Sequence, residues 1–391
     1  MRCVIFTHSL VSDWNHGNAH FIRGIAADMI ARDWRVRIYE PKAGWSRTNL
    51  VENYGHGPVA DFETAFPQLR SVEYDLTSLN LDHALCDADL VLVHEWSDPE
   101  LVNRIGAHRS KKNRPYQLFL HDTHHRAITS PESIAAFDLT GYDGVLAYGR
   151  ALGDVYRSRF ACNAWTWHEA ADARTFYPRP QNEKHGDVVW IGNWGDEERA
   201  LELREFFIRP VVRLGLKAAV YGVRYPDSAL AELADVGIEY RGWLPNYRVP
   251  EVFSRYRLTM HIPRRPYATL LHGIPTIRPF EALACGIPLV SAPWKDSEAL
   301  FQAGRDYLMA RDGDEMTDLV RILLLYPSLA AKLAQNGLAT IRSRHTCAHR
   351  VEELMSISRS VRQPGAFSNG SVNTLSSLPN AELAAAREGA G

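Results

Sequence analysis

Residues 270–294 read LLHGIPTIRPFEALACGIPLVSAPW: a loop, a short helix, a glycine stop and a buried strand in immediate succession. Pro279 suits the first helical position, where a missing N–H costs nothing, and Gly286 suits the left-handed stop. The run IPLV, closed by Ser291 and Pro293, has the length and apolarity of a buried parallel strand. Glu281 falls in the first turn of that helix, just after a glycine-containing loop. A helix start offers free N–H groups and positive dipole potential to phosphate, and a carboxylate beside it can accept hydrogen bonds from ribose hydroxyls. The stretch therefore suits a nucleoside diphosphate. A dipole-stabilised surface glutamate on a packing helix fits the same residues equally well.

Outward from this stretch, strand signals alternate with helical ones. Upstream come DVVWIGN (187–193), LKAAVYGV (216–223), IEYRGWL (238–244) and RLTMHIP (257–263), with helical spacing over 197–213, 227–235, 248–255 and 279–285. An earlier series holds CVIF (3–6), RVRIYE (35–40), ADLVLVHE (88–95), YQLFLHD (116–122) and GVLAYG (144–149), with a helix carrying Phe21, Ile22, Ile25, Met29 and Ile30. Such alternation predicts an α/β chain with two doubly wound parallel sheets and sites at the strands' carboxyl ends. The polar, proline-containing FYPRPQNEKHGD (176–187) reads as a linker and sets a boundary near residue 175. Helices are expected over 315–325, 328–343 and 347–360. The Ser-, Gly-, Asn- and Ala-rich tail, 363–391, is expected to lack fixed structure.

With 391 residues, 46% apolar and 23% charged, the composition is that of an ordinary globular protein of two domains. Lys+Arg 44 against Asp+Glu 46 leaves a net charge of −2, so there is no bulk attraction to nucleic acid. The five cysteines are odd in number, scattered and free of CxxC spacing, which points to a reducing, cytoplasmic compartment. No run approaches the ~20 apolar residues of a membrane span, and the start MRCVIFTHSLVSDW is too short in apolar residues for a signal peptide. Peripheral membrane contact stays open.

The segment EALACGIPLV (281–290) resembles the nucleotide-sugar signature of GT-B glycosyltransferases of group 1, the GT4-like branch, whose motif ends EA-x-A-x-G-x-P-x-V. Glu281 takes the position of the second of that family's two glutamates. The first, expected at 273, is Gly273 here, which brings the chain nearest to a subgroup related to the spore-maturation protein CgeB. The resemblance implies two Rossmann-like domains facing across a cleft: 1–175 on the acceptor side and 176–346 for the nucleotide sugar. A helix, 347–362, then crosses back to the first domain. It implies transfer of a sugar from a nucleotide-diphosphate sugar, with retention at the anomeric carbon and no metal or other cofactor. The acceptor, whether glycan, lipid or small molecule, is not specified.

Site residues follow from the same resemblance, each with a plainer alternative. Arg199 takes a lysine-like position facing the diphosphate, and its guanidinium could hold phosphate oxygens by paired hydrogen bonds. It would otherwise be an exposed helix partner of Asp196 or Glu202. Asn193 stands where the family has arginine, and Arg264 or Arg265 is the candidate replacement. The backbone and side chains of Gly273, Thr276, Ile277 and Arg278 complete the diphosphate set, with Glu281 for the ribose. Trp243 and Leu244 end a strand where the family's base-binding loop lies, although Trp243 could equally fill core. Gly17 and Asn18 open the first helix, the glycine for close backbone approach and the asparagine as N-cap.

His121 and Asp122 are the catalytic candidates. They follow a strand, and His121 takes the position of a histidine directed at the donor sugar. With His124 and His125 they could suggest a metal, but no second cluster supplies matching ligands and none is expected. A structural histidine is the alternative. Glu95, with His94 and Asp98 at another strand end, could bind acceptor hydroxyls or belong to a capped turn. Three rival readings share the fold: a catalytically degenerate GT-B binding module, a nucleotide-sugar epimerase, and a structural protein.

Overall fold

The computed structural model describes residues 1–112, 115–180 and 183–362. The tail 363–391, expected to lack fixed structure, lies outside the described residues. Seven parallel strands form the first sheet: β1 (Arg2–Phe6), β2 (Arg35–Pro41), β3 (Ser71–Tyr74), β4 (Leu90–His94), β5 (Gln117–Asp122), β6 (Gly144–Ala147) and β7 (Ala164–Thr166). Their order is β3-β2-β1-β4-β5-β6-β7. Six parallel strands form the second: β8 (Gly186–Ile191), β9 (Ala218–Tyr221), β10 (Glu239–Tyr240), β11 (Tyr256–His261), β12 (Leu289–Ser291) and β13 (Leu308–Met309), in the order β10-β9-β8-β11-β12-β13. Both sheets are doubly wound. Each reverses its strand order once, beside β1 in the first and beside β8 in the second, and such a reversal opens a crevice at the strands' carboxyl ends.

Burial on both faces explains the continuous apolar strands. In β1, Cys3 and Ile5 enter one cluster while Val4 and Phe6 enter another. In β8, Val189 and Ile191 face the first of these clusters, and Val188 and Trp190 face a third. The shared cluster runs through both domains by way of Trp167, Phe176, Ile277, Phe280 and Leu354. The last described helix, Cys347–Arg362, packs on the first helix, Ala19–Ala31, and so returns to the first domain. Gly24 makes this fit: a Cβ there would meet Cys347 Sγ at 2.4 Å.

Several elements differ from the sequence reading. Strands β3, β7 and β13 are two to four residues long, too short to show a period. IEYRGWL pairs only at Glu239 and Tyr240, because Gly242 turns with φ +68°. Expected helix 197–213 is broken: a 3₁₀ turn at Asp196–Glu198, a helix from Ala200 and a π turn over Arg204–Ile208 precede Arg209–Leu214. Pro210 lacks the N–H a regular turn needs, and the wider π turn accommodates it. Among the described residues no helix is long and apolar enough to cross a membrane.

Candidate active site between the two sheets

The two crevices face one another across a cleft of about 1030 Å³. On the second-domain side, β8 delivers Gly192 and Asn193, β11 delivers His261 to Arg264, and the helix Ile277–Ala284 presents its start. That helix is held at a strained entry. Thr276, a β-branched residue, has φ +62° and ψ −177°, a conformation found where surrounding structure enforces it. Gly273 precedes it at φ +90°, donating its N–H to Lys295 O at 2.7 Å. A Cβ at 273 would lie 2.7 Å from Glu298 and 2.9 Å from Ser297 Oγ, so no side chain fits at this position.

Four guanidinium groups, Arg199, Arg224, Arg264 and Arg278, line this side. Arg264 pairs with Glu198 at 2.8 Å, and Arg278 pairs with Glu281. Arg199 has no carboxylate partner among the described residues. It donates to Asn193 O at 2.6 Å and to Asn193 Oδ1. Its expected helix partners are engaged elsewhere, Asp196 with Arg224 at 2.9 Å and Glu202 with Arg265 at 2.9 Å. Burial and then the neighbouring Arg264 push the Arg199 pKa down to about 9. A half-buried cation among cations, opening on a cleft, is an anion site in waiting.

Glu281 is fully buried behind Arg278 and does not line the cleft. Its Oε1 accepts from His20 Nδ1 at 2.9 Å and from Asn246 Nδ2 at 2.6 Å. Burial works to raise its pKa, but Arg278, His20 and Asn246 together hold it below the ordinary value. Trp243 and Leu244 do line the cleft. Trp243 is pinned by the first domain: its Nε1 donates to Asp13 Oδ1 at 3.1 Å and its N–H to the Tyr54 hydroxyl at 3.2 Å.

The first-domain wall carries Gly17, Asn18 and the loop after β5. Gly17 comes so close to the other domain that a Cβ would lie 3.2 Å from Ile277 Cγ2. Asn18 stands at the N-cap position but makes no side-chain cap bond. Its amide instead contacts His94 Nε2 at 2.7 Å and Thr123 Oγ1 at 2.8 Å, which corrects the capping role expected for it.

Neither His121 nor Asp122 reaches the cleft, a second correction. His121 packs against Trp167 at 4.9 Å and Phe21 at 5.5 Å between ring centroids. Asp122 accepts from Tyr156 Oη at 2.6 Å and from His124 N at 2.8 Å, and burial pushes it up to about 8. The residues turned into the cleft are the next four, Thr123 to Arg126. Burial, then His125 and Arg126, drives His124 well below the usual histidine range, so its imidazole is neutral. Among the described residues no three His, Cys, Asp or Glu side chains converge as a metal set.

This fold is shared with solved structures. Sucrose-phosphate synthase from Thermosynechococcus elongatus matches with TM-score 0.62 and 14% identity over 93% of this chain and 100% of its own. A glycosyltransferase from Rickettsia africae matches with TM-score 0.64 and 9% identity over 93% and 98%. The fold is GT-B. Anabaena HepE, solved with UDP and glucose, matches with TM-score 0.59 and 14% identity over 92% and 100%. A family model described as "Glycosyl transferase-like" matches residues 199–356, under half of the 391. No curated protein matches the sequence.

Of the expected site residues, the GT-B cleft brings together Gly17, Asn18, Arg199, Trp243, Leu244, Arg264, Thr276, Ile277 and Arg278. It leaves His121, Asp122, Gly273 and Glu281 behind its walls. Between the two candidate arginines, Arg264 faces the cleft and Arg265 does not. Sequence reasoning missed Asp13, His20 and Asn246, which join the domains, and His16 and Glu169, which line the cleft. For Asp13 and His16 the signal was available, since both follow β1 at the switch point.

Proposed function

We propose that the protein transfers a glycosyl group from a nucleoside diphosphate sugar to an acceptor, with the cleft as its active site. The observation that carries this reading is Arg199, a half-buried guanidinium with no carboxylate partner among the described residues, beside the strained start of the helix Ile277–Ala284. In the reaction, the bond from the anomeric carbon to the diphosphate oxygen breaks, an acceptor oxygen bonds to that carbon, and the diphosphate departs with its charge. Fixed cations and helix N–H groups stabilise that departing charge without reorganising. Arg199, Arg264 and Arg278 supply positive charge in the place where a cation could act, which supports a reaction without added metal. UDP in HepE and the matching family model over 199–356 support the donor class.

The base would lie against Trp243 and Leu244. The ribose would reach Glu281 once Arg278 turns from that carboxylate to phosphate. The group-1 likeness favours retention of configuration, and the absent glutamate at 273 favours the CgeB-like subgroup, in the cytosol. A binding-only role is favoured by one observation, the filled space at Gly273. The test is thermal stabilisation by UDP-, GDP-, ADP- and dTDP-sugars, with and without EDTA, since a ligand of the folded state raises the melting temperature. A shift with one nucleotide that survives EDTA is the expected result. No shift with any of them overturns the reading.

A further inference from the structure

Every other buried carboxylate among the described residues has a partner. Asp13 holds Arg23, Glu40 accepts from Val11 N, and Asp28 pairs with Arg32. Glu95 accepts from Thr123 Oγ1 at 3.5 Å, Asp122 takes Tyr156, Asp172 takes Thr175, Asp306 accepts from Gln302 N, and Glu281 is bonded on both oxygens. Glu169 is the exception. It is 5% exposed, it lines the cleft, and its carboxyl makes no hydrogen bond or ion pair with any described residue.

Its backbone, by contrast, is tied down on all sides. Trp167 donates its N–H to Ala147 O at 2.7 Å and its indole N–H to Arg350 O at 2.8 Å. His168 joins Tyr148 O at 2.9 Å and Glu298 at 3.1 Å. Arg350 donates to the carbonyls of His168 at 2.9 Å and Glu169 at 3.4 Å. The segment fixes Glu169 in place while giving its carboxyl nothing to bond. A carboxyl fixed in the cleft wall with no partner of its own keeps its acceptor oxygens free for a ligand.

The surroundings say which part of a ligand. Glu169 acts electrostatically on Tyr148 and Tyr267, both of which line the cleft, and Tyr267 follows Arg264 by three residues. The carboxyl thus lies beside two aromatic side chains, in the same cleft that the arginines line. Burial, with Glu281 and Glu95 nearby, pushes it well above the usual carboxylate range. The complement is a group with hydroxyl donors and an apolar ring face, attached to something anionic.

We propose that Glu169 recognises the transferred sugar, its carboxyl bonding the hydroxyls of the glycosyl group whose diphosphate the arginines hold. This rests on the donor reading above. The test compares each nucleoside diphosphate with its sugar conjugate by calorimetry: UDP with UDP-glucose, UDP-galactose and UDP-N-acetylglucosamine, GDP with GDP-mannose, ADP with ADP-glucose, dTDP with dTDP-glucose. The wild type is expected to bind one conjugate more tightly than its parent diphosphate. Glu169→Ala should lower affinity for that conjugate about tenfold and leave the parent diphosphate unchanged. Glu169→Gln, which keeps an acceptor oxygen, should lose less.

Both variants should melt no lower than the wild type without ligand, because the carboxyl has no bond to lose. An unchanged advantage of the conjugate in Glu169→Ala overturns the assignment. So does an equal loss for parent and conjugate, or a wild type that gains nothing from any sugar. A wild type that binds no nucleotide at all overturns the donor reading, and this inference with it.

Discussion

His20 donates its Nδ1 proton to Glu281 Oε1 at 2.9 Å, joining the first helix of one domain to the helix whose start lines the cleft in the other. Its Nε2 accepts the N–H of Asp172 at 2.8 Å, so the neutral ring has one tautomer only. Both side chains are buried. His20→Ala would leave the Asp172 N–H unpaired and take one donor from a buried carboxylate. Stability should fall by about 1–3 kcal/mol, read as a lower denaturant midpoint at unchanged slope.

Arg199→Ala should weaken nucleoside diphosphate binding about 10- to 100-fold, the loss of a charge-assisted pair. Its effect on folding should be small or favourable, because the half-buried guanidinium has no counter-charge among the described residues. Lysine should rescue poorly, since a single ammonium cannot span two phosphate oxygens. Calorimetry with the stabilising nucleotide and a melting curve separate the two effects. Unchanged affinity would remove Arg199 from the site.

Gly273→Glu would rebuild the family motif in sequence and is expected to damage the protein. A left-handed φ of +90° and contacts of 2.7 Å to Glu298 leave a side chain no room. Gly273→Ala should already cost about 1–3 kcal/mol, and the glutamate more. A glutamate variant that folds normally and gains activity would contradict this geometry.

His121→Leu should leave nucleotide affinity within about twofold, because the imidazole packs against Trp167 and Phe21 rather than facing the cleft. His124→Ala changes the cleft wall itself and should alter ligand binding more. The reverse order of effects would place chemistry on His121.

Stability should drop as pH falls below about 6.5. His8, His16, His94, His121, His124, His125, His261 and His345 are all lowered by burial. In the window between their folded and unfolded values the unfolded chain binds more protons, so stability rises with pH. Glu95, Asp122, Glu169 and Asp296 are raised by burial and act in the opposite sense, favouring the folded state as pH falls toward their unfolded values. Eight histidines outweigh four carboxyls between roughly pH 4.5 and 6.5. Melting temperatures across that range, with a steady fall toward acid, are the check.

Much of the architecture was legible because parallel strands buried on both faces write themselves as apolar runs. CVIF, LVLVH and LFLHD each became a strand of the first sheet within a residue or two. Strand β13 and the π turn before Pro210 were not legible, since two residues show no period and a π turn has no pattern of its own. The site was half legible. The existence of the helix followed from sequence, but its start did not: Pro279 suits the first helical position by sequence, whereas the helix begins at Ile277 and leaves Glu281 beyond its first turn. Nor did the direction of each side chain: two positions separate His121, packed inside, from the cleft-facing turn that begins at Thr123.

The sequence by itself determined two doubly wound sheets and a short helix after Gly273, because backbone preference and apolar period act over neighbouring residues. Tertiary structure alone decided which charges are free to meet a ligand. Arg199 lacks a carboxylate because Arg224 and Arg265 occupy Asp196 and Glu202. Glu281 is withdrawn by a histidine 261 positions away. Glu169 is left unbonded by a segment whose every other group is held. Pairing of charges depends on distance in space, and local sequence carries no record of it.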